Sequence, residues 1–161
     1  MGRNATKAAG NVWYQARIEA AKYNDRLSSR EGAAEALGMS EDAVKNTELG
    51  IEKCMPVEKA VLMADLYKSP ELLNYYCLHE CPIGKTLPLS DQVVPIDRIT
   101  VKFLKSLNTN VLNGMKDRMM RLSDDGEITE DEYDELEAVL AYLDNLSVTI
   151  SELRTLAKRL R

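Results

Sequence analysis

The sequence predicts an all-α protein made of two helical units joined by a proline-rich connector. Three observations carry this. Leu, Ala, Glu, Lys and Met are frequent, while aromatic residues make up only 6% of the 161, a composition that favours helix. Apolar residues recur at steps of three and four over long stretches, and strict alternation never lasts long enough to suggest a strand. Pro82, Pro88 and Pro95, with Gly84 among them, punctuate the chain in a way that no regular helix tolerates. The organisation expected is a flexible N-terminus over 1–11, a first unit over 12–82, a linker over 83–95 and a second unit over 96–161.

The first unit reads as five helices. Trp13, Ala16, Ala20, Tyr23 and Leu27 place one apolar stripe along a helix from about Asn11 to about Asn24. Ser29 is a good N-cap for a second helix over 30–37, and Gly38 supplies its left-handed stop. Ser40 caps a third, from Glu41 to Leu49, with Glu41 and Asp42 in the first turn where the helix dipole favours acids; Gly50 ends it. A fourth begins at Pro56 and turns Val57, Ala60, Val61 and Ala64 toward the core. Ser69-Pro70-Glu71 opens the fifth.

Two short helices joined by a tight glycine turn, with a helix before and another after, form a helix-turn-helix layout. Ala33-Ala34-Glu35-Ala36-Leu37-Gly38-Met39-Ser40, then Glu48-Leu49-Gly50, Pro56 and the closing Leu66-Tyr67, resemble the lambda-repressor-like helix-turn-helix regulators, the xenobiotic-response-element family. The likeness spans roughly Val12 to Tyr67. It implies that Ala34 packs between the second and third helices, that Val44 anchors the third to the core, and that Glu48 is structural.

It also implies a DNA-binding face on the third helix: Ser40, Glu41, Asp42, Lys45 and Asn46, with its N-terminal part in the major groove. Asn46 suits adenine and Lys45 suits guanine or phosphate, whereas Glu41 and Asp42 meet repelling phosphates unless they accept from cytosine N4. Arg30, where the family often has Gln, would reach a phosphate, and Arg17 and Lys53 would add two more.

Cys77-Leu78-His79-Glu80-Cys81-Pro82 invites a metal reading with Cys54 as a distant fourth ligand. Cys77 and Cys81 share a helical face, but His79 is two residues from each and points elsewhere, so the spacing is not that of a zinc finger. The reading adopted is a small buried Cys77 and a helix-end Cys81, with no metal and no cofactor. A redox pair is the minor alternative.

In the second unit, Ile99, Phe103, Leu107, Val111, Met115, Met119 and Leu122 predict one long helix from Ile96, with poor helix formers around Asn108 to Gly114 inviting a bend. Ser123-Asp124-Asp125-Gly126 breaks it. Asp125, Gly126, Ile128 and Glu132 fall at calcium-loop offsets, but Arg121 occupies the first ligand position and cannot replace a carboxylate. Thr129 instead caps the last helix, with Glu130, Asp131 and Glu132 in its first turn.

That helix carries Leu136, Val139, Leu143, Leu146, Ile150, Leu153, Ala157 and Leu160 in unbroken steps of three and four, a coiled-coil heptad seam, broadened by Leu140 and Leu156. A helical hairpin buries only one side of such a seam. A second copy would complete a dimeric four-helix bundle through Leu136, Val139, Leu143, Leu146, Ile150, Leu153 and Leu160.

The net charge is −5, with residues 1–68 balanced and the rest acidic, so any DNA contact must come from a local patch. The longest apolar runs, such as Val61-Leu62-Met63-Ala64, are far short of the roughly 18 residues of a membrane span. With no secretory leader and three cysteines, a reducing cytoplasm is the expectation. Gly84-Lys85-Thr86 lacks the upstream glycine of a phosphate loop, and no nucleophile stands beside a base. The function expected is binding without catalysis: a transcriptional regulator, repressor-like, acting as a homodimer on double-stranded DNA at a palindromic operator. The alternative is an assembly adaptor that keeps the scaffold and holds a protein partner at the C-terminal hairpin.

Overall fold

A computed structural model describes residues 7–52, 55–123 and 126–160. Lys53, Cys54 and Asp125, and most of the expected flexible N-terminus, therefore lie outside the described residues. Within them every regular element is helical: α1 (Val12–Ala20), α2 (Arg30–Leu37), α3 (Glu41–Glu48), α4 (Val57–Leu66), α5 (Glu71–His79), α6 (Ile96–Ser106), α7 (Thr109–Leu122) and α8 (Tyr133–Arg159). None is long and apolar enough to cross a membrane. The chain divides into two compact units, Met1–Leu87 and Pro88–Arg161. The boundary falls inside the expected linker, whose two halves are absorbed by the two units: Gly84–Thr86 forms a 3-10 turn beside α5, and Ser90 donates its N–H to Ser151 Oγ of α8 at 3.3 Å.

In the first unit, local signals set the helix ends. The Asn11 side chain accepts from the N–H groups of Trp13 and Tyr14 at 2.9 and 3.2 Å, and its Nδ2 donates to the Thr47 carbonyl at 3.0 Å, tying the start of α1 to the end of α3. The helix stops at Ala20 rather than near Asn24, because the extended Asn24 caps a 3-10 turn over Asp25–Ser28. Leu27 still enters the core from that turn, 1% exposed, while Tyr23 leaves the expected stripe and is 88% exposed. Leu27, Val44 and Met63 are fully enclosed, each contributing roughly 1.5–3 kcal/mol by burial. Trp13 meets Tyr75 edge-on, ring centroids 6.2 Å apart.

The register of α4 also differs from expectation. Lys59, Ala60, Met63 and Ala64 face inward, whereas Val57 and Val61 are exposed. Two overlapping apolar stripes compete along this helix, and polar bonding decides between them. The Lys59 ammonium donates to the Ala43 carbonyl at 2.9 Å and to Glu52 Oε2 at 2.6 Å, satisfying a buried charge and fixing the rotation of α4.

In the second unit the single long helix expected from Ile96 is two. The break falls at Leu107-Asn108, where Asn108 is extended and its side chain accepts from the Asn110 N–H at 3.0 Å, restarting the chain as α7. Both α6 and α7 pack on α8, so each chain holds a three-helix arrangement in place of a hairpin. Tyr142 donates its hydroxyl to the Ser106 carbonyl at 2.9 Å, and Arg121 pairs with Glu135. Glu132 accepts from the N–H and hydroxyl of Thr129, so the expected cap stands, although a 3-10 turn over Glu130–Glu132 precedes α8.

The heptad seam is not what this unit buries. Of its residues only Val139 is enclosed. Leu143, Leu153 and Leu160 are exposed at 45%, 37% and 81%, and Leu136, Leu146 and Ile150 are half-buried. The interior side of α8 is largely polar instead, carrying Thr149, Ser151, Glu152 and Thr155.

Candidate nucleic-acid interface

α2 and α3 meet through a link that leaves little freedom. Gly38 takes φ 65° and ψ 32°, a conformation that costs an L side chain roughly 1–2 kcal/mol. Its N–H donates to the Glu35 carbonyl at 3.2 Å and that of Met39 to the Ala34 carbonyl at 2.9 Å, closing α2. Two residues later Ser40 Oγ accepts from the Ala43 N–H at 3.2 Å and starts α3. Gly32 lets the two turns around Ser29 pack closely, since a Cβ there would lie 2.1 Å from the Arg26 carbonyl oxygen.

The inward side of α3 is fixed by Val44, Thr47 and Glu48, all buried, and Ala34 is enclosed at 4%. Its outward side carries Ser40, Glu41, Asp42 and Lys45, all exposed, with Asn46 half-buried at the edge. These five residues are thus brought together as the sequence suggested. The face offers a hydroxyl, an ammonium and an amide, and it also carries two carboxylates. Lys45 Nζ lies 3.5 Å from Asp42 Oδ1, one turn away.

The flanking cations are placed differently. Arg17, expected at a phosphate, is 3% exposed and committed to the interior: Nε donates to Glu48 Oε1 at 2.5 Å, and Nη1 to the Leu27 and Ser28 carbonyls at 2.7 and 3.2 Å. A fully enclosed carboxylate attracts a guanidinium more strongly than a solvated phosphate can, because nothing screens the pair. Arg30 is intermediate: Nε donates to Glu48 Oε2 at 2.7 Å while the side chain keeps 28% exposure at the start of α2. Arg26, which the sequence reading passed over, is 59% exposed in its side chain and 3.1 Å from Glu35. Its only signal was position, one turn before the Ser29 cap.

The polar group Lys59–Glu52–Thr47 was also missed, since its members are five to twelve residues apart in sequence with no shared periodicity. Thr47 Oγ1 lies 3.0 Å from the Ala43 carbonyl and 3.0 Å from Glu52 Oε2, and its single proton serves one of the two.

Cys77 and Cys81 are both half-buried free thiols, and Cys81 Sγ accepts from the Gly84 N–H at 3.4 Å. His79 packs its ring on Tyr75, centroids 4.3 Å apart. No group of three metal-binding side chains gathers among the described residues. Comparison with protein-family models, with curated proteins and with solved structures finds no match to this chain.

Proposed function

We propose that the chain is a sequence-specific DNA-binding transcriptional regulator of the lambda-repressor-like helix-turn-helix kind, acting as a dimer on a palindromic operator. The observation that carries this reading is the presentation of α3. One side is locked to the core by Val44 and Glu48, and the other holds Ser40, Glu41, Asp42 and Lys45 exposed, with Asn46 half-buried at its edge. A short helix held in this way suits insertion into a major groove about 12 Å wide. Lys45 and Asn46 are the base-reading candidates, and Arg30 at the start of α2 and Arg26 in the 3-10 turn before it are the phosphate candidates. Dimerisation assigns the uncovered apolar residues of the second unit to a protein contact.

The test is fluorescence anisotropy on duplex fragments from the region upstream of the protein's own coding sequence, across a salt series and against unrelated competitor. Support is competitor-resistant binding whose log affinity falls linearly with log salt, and a loss of at least tenfold when Lys45 and Asn46 are both changed to Ala. Absence of binding at low salt by a folded protein overturns the reading.

A second reading is favoured by one observation: Glu41 and Asp42 give the outward face a net negative charge, and Asp42 engages its single lysine. On that basis the face docks a basic protein segment, and the chain is an assembly adaptor. Glu41→Gln with Asp42→Asn separates the two. It tightens binding to phosphate-rich duplex and weakens binding to a basic partner.

A further inference from the structure

We propose that α8 pairs antiparallel with α8 of a second copy of this chain, through the seam residues that its own unit leaves exposed or half-covered. The proposal rests on the dimeric part of the functional reading above and gives it an interface and a direction.

The second unit leaves apolar side chains exposed on all three of its helices, and on α8 they lie along the seam. Among its described residues the enclosed apolar side chains are Ile99, Leu122 and Val139, while Leu140, Leu143, Leu153 and Leu160 are 37–81% exposed. The arrangement is inverted for an isolated domain, in which leucines would be covered and polar groups solvated. Here Thr149, Ser151, Glu152 and Thr155 are buried inside. An apolar stripe of this length on one helix marks a protein contact.

Charge selects both the occupant and its direction. Residues 130–144 hold acidic side chains and no basic one, and residues 153–161 hold basic side chains and no acidic one. A parallel pair would set acid beside acid along the first half of the helix. An antiparallel pair sets the acidic half of each copy beside the basic end of the other, and it also opposes the two helix dipoles. A second copy is therefore the complementary surface, and no other partner is required to supply it.

The seam accepts this direction in register. Its spacing reads the same from both ends, so Leu143 meets Leu153 of the second copy, Leu136 meets Leu160, and Leu146 meets Ile150, while the enclosed Val139 contributes nothing opposite Ala157. The pairing brings together two of the exposed leucines in each half of the interface.

The experiment is thiol cross-linking of the full chain with Cys54, Cys77 and Cys81 changed to Ser, using a short bismaleimide and no DNA. Leu143→Cys alone and Leu153→Cys alone should give no covalent dimer, because in the antiparallel register each lies about 15 Å along the axis from its own equivalent. The variant carrying both should give covalent dimer as the main product. A second pair, Leu136→Cys with Leu160→Cys, repeats the test should the first substitutions disturb folding by circular dichroism. Covalent dimer from each single variant would mean a parallel pair and overturn the proposal. No covalent dimer from either double variant would overturn it as well, whatever the protein's sedimentation behaviour. Because DNA is absent, a cross-linked dimer that then fails to bind duplex would sink the regulator reading and leave this pairing intact.

Discussion

The Glu48 carboxylate, 0% exposed, accepts from Arg17 Nε at 2.5 Å and from Arg17 Nη2 at 3.2 Å, a two-point contact between residues 31 positions apart. It joins the end of α3 to the middle of α1, and Arg30 adds the start of α2 on the free side of Oε2. One buried anion thus fixes the three helices that set how α3 is presented. Removing it leaves an enclosed guanidinium without a counter-charge, a loss of roughly 3–5 kcal/mol. Glu48→Leu should therefore lower the urea midpoint sharply, and Arg17→Met in the same chain should restore much of the loss. If Glu48→Leu costs under 1 kcal/mol, the pair is not holding the helices together.

Lys68 is the sole non-glycine residue at positive φ among the described residues, at 53°. It ends α4 in the manner of Gly38 after α2: the Ser69 N–H reaches the Ala64 carbonyl at 3.0 Å. A lysine Cβ strains that backbone, and glycine relieves it at some entropic cost in the unfolded chain. Lys68→Gly is expected to stabilise by about 0.5–1 kcal/mol, read as a higher denaturant midpoint at unchanged slope. A fall in the midpoint would count against strain at this position.

How much of this was legible follows from which interactions are local. Ser29, Gly38, Ser40 and Gly50 mark their helix ends through bonds to residues a few positions away, so the α2–α3 pair and its outward residues could be read directly. Val57 and Val61 could not, because α4 is rotated by Lys59 bonding to Ala43, sixteen residues earlier. Arg17 was misplaced for the same reason: a charged residue reads as exposed until its distant partner Glu48 is known. The break at Asn108 was signalled by composition, but the continuous apolar spacing across it masked the stop. On α8 the apolar period was found and its covering was not, since Ser90, Lys102 and Glu152 come from three separate parts of the chain.

Tyr67 is 2% exposed, and its hydroxyl has no hydrogen-bond partner among the described residues. Burial, and next the nearby negative charge of Glu48, push its pKa well above the ordinary value of 10.0, with Arg17 opposing. Above pH 10 the unfolded chain therefore releases this proton while the folded chain keeps it. The contribution to stability is intact below that pH and is lost as pH rises beyond it. Tyr67→Phe should flatten the decline measured between pH 9.5 and about 11. At pH 7 it should be neutral or stabilising by up to about 1 kcal/mol, since it removes a buried unpaired hydroxyl. An unchanged alkaline slope would contradict the assignment.

Glu152, 3% exposed on α8, depends on Lys102 of α6, whose ammonium donates to both carboxylate oxygens at 2.6 and 2.8 Å. Ser90 Oγ adds a longer contact of 3.4 Å. Lys102→Met keeps the apolar stem and removes the charge, leaving a buried anion without its ammonium partner, at a cost of roughly 1–3 kcal/mol. The chain offers a built-in way to locate that loss. Its one tryptophan, Trp13, is enclosed in the first unit, so fluorescence follows that unit, whereas far-ultraviolet circular dichroism follows helices of both. Lys102→Met should shift part of the dichroism transition to lower urea and leave the tryptophan transition in place. Protein concentration must be held constant, because pairing of second units adds its own stabilisation. Glu48→Leu should do the reverse and move the tryptophan signal first. If Lys102→Met moves both signals together, the two units unfold as one and the ion pair supports the whole chain, not α6 and α8 alone.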